Sequence, residues 1–286
     1  MMRIGVVYPQ IELGGSPQAV REIGLATETL GFDHLLMYDH VVGASPDREV
    51  KLWGPYTDRH PFHDPLVCFG YLAGITERIG LVTGCLILPQ RQTVLVAKQA
   101  TDVDLLSGGR LTLGVGAGWN PVEYHALGQD FATRGRRLDE QVGFMRRLWS
   151  EPLLTWTGEF DRIDRACIIP RPERRIPIWF GGFTEAAFRR GARLGDGFIF
   201  AGPPDAVADA WARVQHYLAQ AGRSREGFAA LYIMTSATSL EQVPATIERW
   251  QRAGGTHASI YTMDQHFETA TQHVDYLARV RRSLQS

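Results

Sequence analysis

Eight short apolar runs, each followed by a stretch of helical periodicity, recur along this chain, and that alternation restricts the fold more than any single motif does. The runs are Arg3–Tyr8, His34–Tyr38, Ile79–Leu88, the start of Leu111–Glu123, Ile176–Gly181, Gly197–Ala201, Ala229–Ala237 and His257–Met263. Most are apolar at nearly every position, which marks strands buried on both faces. Such strands belong to a parallel sheet covered by helices. Eight strand–helix units close most economically into a (β/α)8 TIM barrel of the α/β class, with a doubly wound open sheet as the competing arrangement. The 286 residues fit one barrel, so a single domain over 1–286 is expected.

Local punctuation supports the helices. Ser16 and Pro17 supply an N-cap and N1 residue, and Gly31 ends that helix. Asp64-Pro65 opens a second helix to about Glu77, and Thr93–Leu106 forms the third. Gly135–Trp149 places Leu138, Val142, Met145 and Leu148 on one face. Thr184–Leu194 and Pro204–Ala221 follow, then a helix opened by a capping box at Ser239 and Gln242, and finally Thr269–Leu284. Two stretches break the rhythm. Residues 151–175 have room for a small hairpin, and Val41–His63 is too long for an ordinary connection. The latter carries Trp53, Tyr56 and Phe62, which favours a functional loop.

A barrel gathers the C-terminal ends of its strands into one mouth. Asp39-His40, Thr83–Pro89, Gly114–Trp119, Gly181-Gly182 and Ala201-Gly202 would ring it. Gly114, Gly116 and Gly118 suggest a dinucleotide loop, but the sixth motif position is Trp119, Pro121 follows, and no helix starts at once. These glycines either admit a flat ligand or let a strand end pack closely. Gly181-Gly182-Phe183-Thr184 precedes a helix and could hold a phosphate on free backbone N–H groups; a plain turn with a Thr cap reads equally well locally. His40, at a strand end, is suited to proton transfer or to stabilising an anionic ring, or is simply a loop histidine.

Other chemistries lack their residues. Lys51 and Lys98 are the only lysines and neither ends a strand, so Schiff-base chemistry has no nucleophile. His60 and His63 have no supporting ligands for a metal, and no G-x-S-x-G elbow is present. The formal net charge of −1 gives no case for nucleic acid or an anionic membrane. Cys68, Cys85 and Cys167 are read as reduced, and without an apolar run near 18 residues or a signal segment a cytoplasmic protein is expected.

Several pieces, in this order and spacing, resemble the bacterial luciferase-like flavin and deazaflavin oxidoreductases, closest to the coenzyme F420-dependent branch. They are Tyr38–His40 (YDH), Thr83–Pro89 (TGCLILP), Val96–Trp119, Arg136–Trp149, Ile176–Gly182 (IPIWFGG) and Gly195–Phe200 (GDGFIF). The resemblance implies a luciferase-like barrel and a cofactor lying across its mouth. Asp39 would flank the ring, and His40 would match the active-site histidine of the F420-dependent dehydrogenases. Cys85, Leu86 and Leu88 would lie under or near the ring, with a non-proline cis peptide at Cys85–Leu86. Ala117, Gly118 and Val122 would touch the cofactor, and Gly181, Gly182, Thr184 and Glu185 would bind its phosphate. Trp119 stands where the family's sugar-phosphate dehydrogenases carry a proton-transferring glutamate. That substitution argues against a sugar phosphate and for a flat or apolar small-molecule substrate. F420 is favoured on motif similarity; FMN is the alternative, with O2 chemistry and a flavin reductase as partner. A flavin-binding protein without turnover and a metal-dependent hydrolase or lyase are the competing classes. Family members are often dimers, and no residue here fixes the subunit count.

Overall fold

The computed structural model describes residues 2–235 and 238–285. Its strands are β1 (Arg3–Val7), β2 (His34–Met37), β3 (Gly80–Thr83), β4 (Leu86–Ile87), β5 (Leu111–Gly116), β6 (Leu154–Thr157), β7 (Arg162–Ala166), β8 (Ile178–Gly181), β9 (Gly197–Ala201), β10 (Ala229–Ile233) and β11 (His257–Ile260). The helices are α1 (Pro17–Thr29), α2 (Pro65–Ala73), α3 (Thr93–Leu106), α4 (Pro121–Ala126), α5 (Arg134–Ser150), α6 (Glu185–Leu194), α7 (Pro204–Gln220), α8 (Val243–Arg252) and α9 (Ala270–Ser283).

Parallel pairing runs β1–β2–β3–β5–β8–β9–β10–β11 and returns to β1, where Arg3 faces His257 and Val6 faces Ile260. The barrel is therefore closed, and the open-sheet alternative falls. β6 and β7 form the antiparallel hairpin expected between 151 and 175. The strand expected over Ala229–Ala237 is seen to Ile233; its last two residues, Ser236 and Ala237, lie outside the described residues.

Two apolar layers follow from burial on both strand faces. Inside the barrel, Val7, Leu36, Val82, Trp179, Ile199, Leu231, Ile233 and Met263 pack together. Outside it, helix faces such as Leu138, Val142, Met145 and Leu148 of α5 close the larger core, as their spacing requires.

Three boundaries differ from the sequence reading. α2 ends at Ala73 with Gly74 as its C-cap, and it does not run on to Glu77, where the N–H groups of Glu77, Arg78 and Ile79 are instead bound by the Glu28 carboxylate at 2.6–3.1 Å. The single strand expected over Ile79–Leu88 is two strands, β3 and β4, with a bulge between them. The non-proline cis bond lies at Gly84–Cys85, one residue before the expected Cys85–Leu86. A cis bond brings successive Cα atoms to about 2.9 Å, which is least obstructed where one residue has no side chain. A Cβ at Gly84 would in any case meet Leu36 at 2.3 Å. Finally, a short helix, α4, starts three residues after Gly118, capped by Asn120 Oδ1 accepting from Val122 N.

Candidate active site

The bulge between β3 and β4 is held by side chains at the mouth. Asp39, just past β2 and nearly fully buried, accepts from Ile87 N at 2.9 Å and from Arg91 Nη2 at 2.7 Å. Arg91 reaches on to Asp64, the N-cap of α2, at 2.8 Å. Burial pushes the Asp39 carboxyl up against the pull of Arg91. Burial works against the Arg91 charge too, but the two carboxylates prevail and raise it. One buried ion network thus ties β2, β4 and α2 together.

The glycines in and just after β5 serve the same bulge. A Cβ at Gly114 would meet Thr83 O at 1.9 Å, one at Gly116 would meet Cys85 Cβ at 3.3 Å, and one at Gly118 would meet Ile87 Cγ2 at 2.6 Å. Gly118 also has φ +66°, a conformation glycine adopts without penalty. Of the two readings of these glycines, close packing of chain on chain accounts for all three. Across the mouth, a Cβ at Gly181 would lie 2.4 Å from Cys85 Sγ. Cys85 therefore sits wedged between the ends of β5 and β8, its thiol pushed up to about 12 by burial and by Asp39. Leu86 and Leu88 are completely buried beneath it. Ile11, Tyr38, Cys85, Ala201 and Tyr261, each partly exposed, cap the inner core and form an uncharged surface at the mouth.

His40 stands beside this surface. Its Nδ1 lies 3.0 Å from Glu123 Oε1, and Gln90 Nε2 donates to Glu123 Oε2 at 3.0 Å. Glu123 is in α4 and only 1% of its side chain is exposed. A carboxylate only accepts, so Nδ1 carries the hydrogen of this pair, and Nε2 is the ring nitrogen that Glu123 leaves free. Aromatic rings enclose the imidazole edge-to-face: Phe62 at 4.8 Å, Tyr56 at 5.1 Å and Trp119 at 5.6 Å. Trp53 covers Trp119 at 5.5 Å while remaining 72% exposed. The long 41–63 segment therefore folds over His40. On the other side, Tyr261 donates to Asp264 Oδ2 at 3.0 Å and Glu12 Oε1 accepts from Asp264 N at 2.7 Å. Glu12 Oε2 is buried without a partner among the described residues, and burial raises its carboxyl.

At the turn before α6, Gly182 has φ +144° and Thr184 Oγ1 accepts from Ala187 N at 3.3 Å, so Thr184 is the N-cap. The Glu185 carboxylate turns away to Arg213, at 2.8 Å, and to the Tyr217 hydroxyl, leaving its backbone N–H at the helix start. Ala117 O accepts from Tyr124 OH at 2.6 Å, which fixes the turn that exposes Ala117, Gly118 and Val122 in part.

The sequence reading thus brought His40, Trp119, Asp39 and Cys85 to one place, and placed Gly181–Glu185 at a strand end opening a helix. It missed Glu123, Gln90, Arg91 and Glu12. The signal for Glu123 was present: Asn120-Pro121 is an N-cap and N1 pair, which puts Glu123 in the first turn of a helix immediately after Trp119. Nothing local marks Gln90-Arg91, since their partners are 33 and 52 residues away. Among the described residues, no group of three His, Cys, Asp or Glu side chains is placed to hold a metal ion, and no helix is long and apolar enough to cross a membrane.

Comparison with known proteins gives this arrangement a family. A protein of Mycobacterium tuberculosis (strain ATCC 25618 / H37Rv) without assigned activity is 37% identical over 208 residues, covering 70% of this chain and 71% of its own length. The F420-dependent glucose-6-phosphate dehydrogenase of Intrasporangium calvum is 31% identical over 208 residues, covering 70% of this chain and 58% of that protein. Among solved structures, an F420-dependent secondary alcohol dehydrogenase with an F420–acetone adduct superposes with TM-score 0.78 at 17% identity, covering 100% of this chain and 99% of that one. The FMN-bound oxygenating constituent of 3,6-diketocamphane monooxygenase from Pseudomonas putida gives TM-score 0.74 at 14% identity, covering 99% and 98%. At those identities the structures speak for the fold alone. The luciferase-like monooxygenase family profile matches residues 2–282, and the chain belongs to that family of flavin- and F420-dependent oxidoreductases.

Proposed function

We propose that this protein is an F420-dependent oxidoreductase that moves hydride to or from a small, flat or apolar organic substrate, with His40 as its proton-transfer residue. The observation that carries the reading is His40 itself. Glu123 orients the ring, Gln90 backs the glutamate, and three aromatic side chains keep bulk water from the imidazole. The mouth suits a flat deazaflavin: its surface of Ile11, Tyr38, Cys85, Ala201 and Tyr261 carries no charge, and the Cys85 thiol, with its raised pKa, stays protonated and unreactive.

Cys85 and Leu86 would back the ring, with Asp39 and Leu88 fixing the segment from behind. Ala117, Gly118 and Val122 would line its edge. Gly181, Gly182, Thr184 and the Glu185 N–H would hold the phosphate at the start of α6, where the helix dipole favours an anion. The cofactor would supply two-electron hydride chemistry. His40 Nε2 takes the hydroxyl proton when an alcohol is oxidised and returns it when a carbonyl is reduced, a service generally worth about 10²–10⁴ in rate. Trp119 and Trp53 pack over the substrate and select for apolar surface.

The glucose-6-phosphate dehydrogenase relative favours F420; the monooxygenases of the family support the second reading, an FMN-dependent oxygenation served by a separate reductase. Fluorescence-quenching titrations with F420 and with FMN decide between them. Micromolar binding of F420 supports the proposal, binding of FMN alone moves it to the second reading, and binding of neither overturns both.

A further inference from the structure

The opposite end of the barrel holds a cavity of about 510 Å³, lined where the strands begin: Arg3 opens β1, His34 opens β2 and His257 opens β11. That end of a barrel ordinarily serves stability. Here the charge does not balance. Five arginines (Arg3, Arg78, Arg110, Arg174 and Arg175) face the cavity with only two carboxylates, Asp33 and Asp196. Arg174 is neutralised by Asp104 at 2.5 Å, whereas Asp196 is shared by Arg175 and Arg146, at 2.7 and 3.0 Å. Among the described residues Arg110 is hydrogen-bonded only to neutral oxygens, those of Ser107, Thr76, Ile79 and Ala73, and burial lowers its pKa against the pull of Glu28. Arg78 Nη2 donates to Glu28 O at 3.4 Å, and the Glu28 carboxylate nearby, held by backbone N–H groups, offsets part of the Arg78 charge without forming an ion pair with it. Arg3 makes no hydrogen bond or ion pair through its side chain among the described residues.

The floor is different in character. Trp179 is 6% exposed and meets His257 edge-to-face at 4.8 Å. His34 Nε2 is 2.8 Å from Ser259 Oγ, and His257 Nδ1 is 2.7 Å from Thr256 Oγ1. Both imidazoles are uncharged at neutral pH, through burial and through the positive field of Arg3. The cavity therefore combines a flat, neutral aromatic floor with a cationic rim, and its volume lies in the range of small-molecule sites, about 300–1,000 Å³.

We propose that this cavity is a second ligand site, distinct from the mouth, that binds a small aromatic or heteroaromatic phosphate. The oxyanion lies between the Arg3 and Arg78 guanidiniums, whose planar forks match phosphate oxygens, and the ring lies toward Trp179. Concave cationic surfaces concentrate anions, so binding weakens as salt rises.

Calorimetric titration with phenyl phosphate, inorganic phosphate and phenol tests the assignment, with tryptophan fluorescence as a second readout. The expected order is phenyl phosphate tightest, inorganic phosphate at least about tenfold weaker and phenol undetectable, because the two halves of the site act together. The doubly substituted Arg3→Gln/Arg78→Gln protein, altered only at exposed side chains, should bind phenyl phosphate at least about tenfold more weakly. Arg252→Gln, an exposed arginine of α8 outside the cavity, should bind it unchanged. Equal binding by the double variant, loss of binding in Arg252→Gln, phenol binding as tightly as phenyl phosphate, or no saturable binding at all would each overturn the proposal. None of these outcomes depends on which cofactor occupies the mouth.

Discussion

Replacing Arg91 by methionine offers the sharpest test of how the mouth is held. The substitution keeps an unbranched side chain and removes the cation between two carboxylates. The consequences for the two are unequal. Asp64 has a side chain 31% exposed and recovers water, so its lost pairing costs less than about 1 kcal/mol. The Asp39 side chain is 1% exposed and lies 2.7 Å from the guanidinium. Stripping one partner from a buried pair costs about 3–5 kcal/mol, a large fraction of the roughly 5–15 kcal/mol stability of an ordinary domain. The penalty must also depend on pH. Without Arg91 only the Ile87 N–H still works against the burial that already raises the Asp39 carboxyl, so the folded variant holds a proton that the unfolded chain, titrating at about 3.9, has released. The folded state then binds more protons than the unfolded one, and stability falls as pH rises. The deficit relative to the parent protein is largest at high pH and shrinks on acidification by up to about 1.4 kcal/mol per unit while Asp39 titrates. Urea denaturation of both proteins at pH 7.5 and 6 measures this, with an Asp39→Asn/Arg91→Met double variant recovering most of the loss because no buried charge remains. A deficit under about 1 kcal/mol, or the same deficit at both pH values, would refute the reasoning and reduce Arg91 to packing.

Two further predictions concern histidines. His34 is held down to about 3, and His257 and His273 to about 4, by burial above all, whereas each titrates near 6.5 when unfolded. The unfolded chain therefore binds the extra protons, and stability should fall steadily as pH drops from 6.5 towards 4, by about 2 kcal/mol per histidine at pH 5; a thermal midpoint unchanged between pH 7.5 and 5 would contradict it. At the mouth, Glu123→Gln leaves one oxygen for two donors, His40 Nδ1–H and the Gln90 amide. The imidazole ¹⁵N shifts should show the Nδ1–H tautomer of the parent giving way to a mixture, with kcat falling roughly 10²-fold; an unchanged tautomer would show that Glu123 does not position the ring.

The chain's own pattern determined the architecture. Strands apolar on both faces, separated by capped helices, have few ways to bury themselves, and eight of them close a ring. The same logic placed Asp39, His40, Gly114–Trp119 and Gly181–Glu185 at strand ends, because a parallel barrel delivers every C-terminal end to one face. Contacts across the ring needed the tertiary structure. The glycines of Gly114–Gly118 read in sequence as room either for a ligand or for close packing, and the atoms they make room for belong to Thr83, Cys85 and Ile87. Glu123 meets His40 across 83 residues, and Arg91 meets Asp39 across 52. No periodicity or local propensity encodes such pairs, because strand order and register alone bring the partners together. The cationic cavity below the barrel has the same origin. Its arginines look like scattered surface charges in the sequence, and only the closed sheet sets them around one aromatic floor.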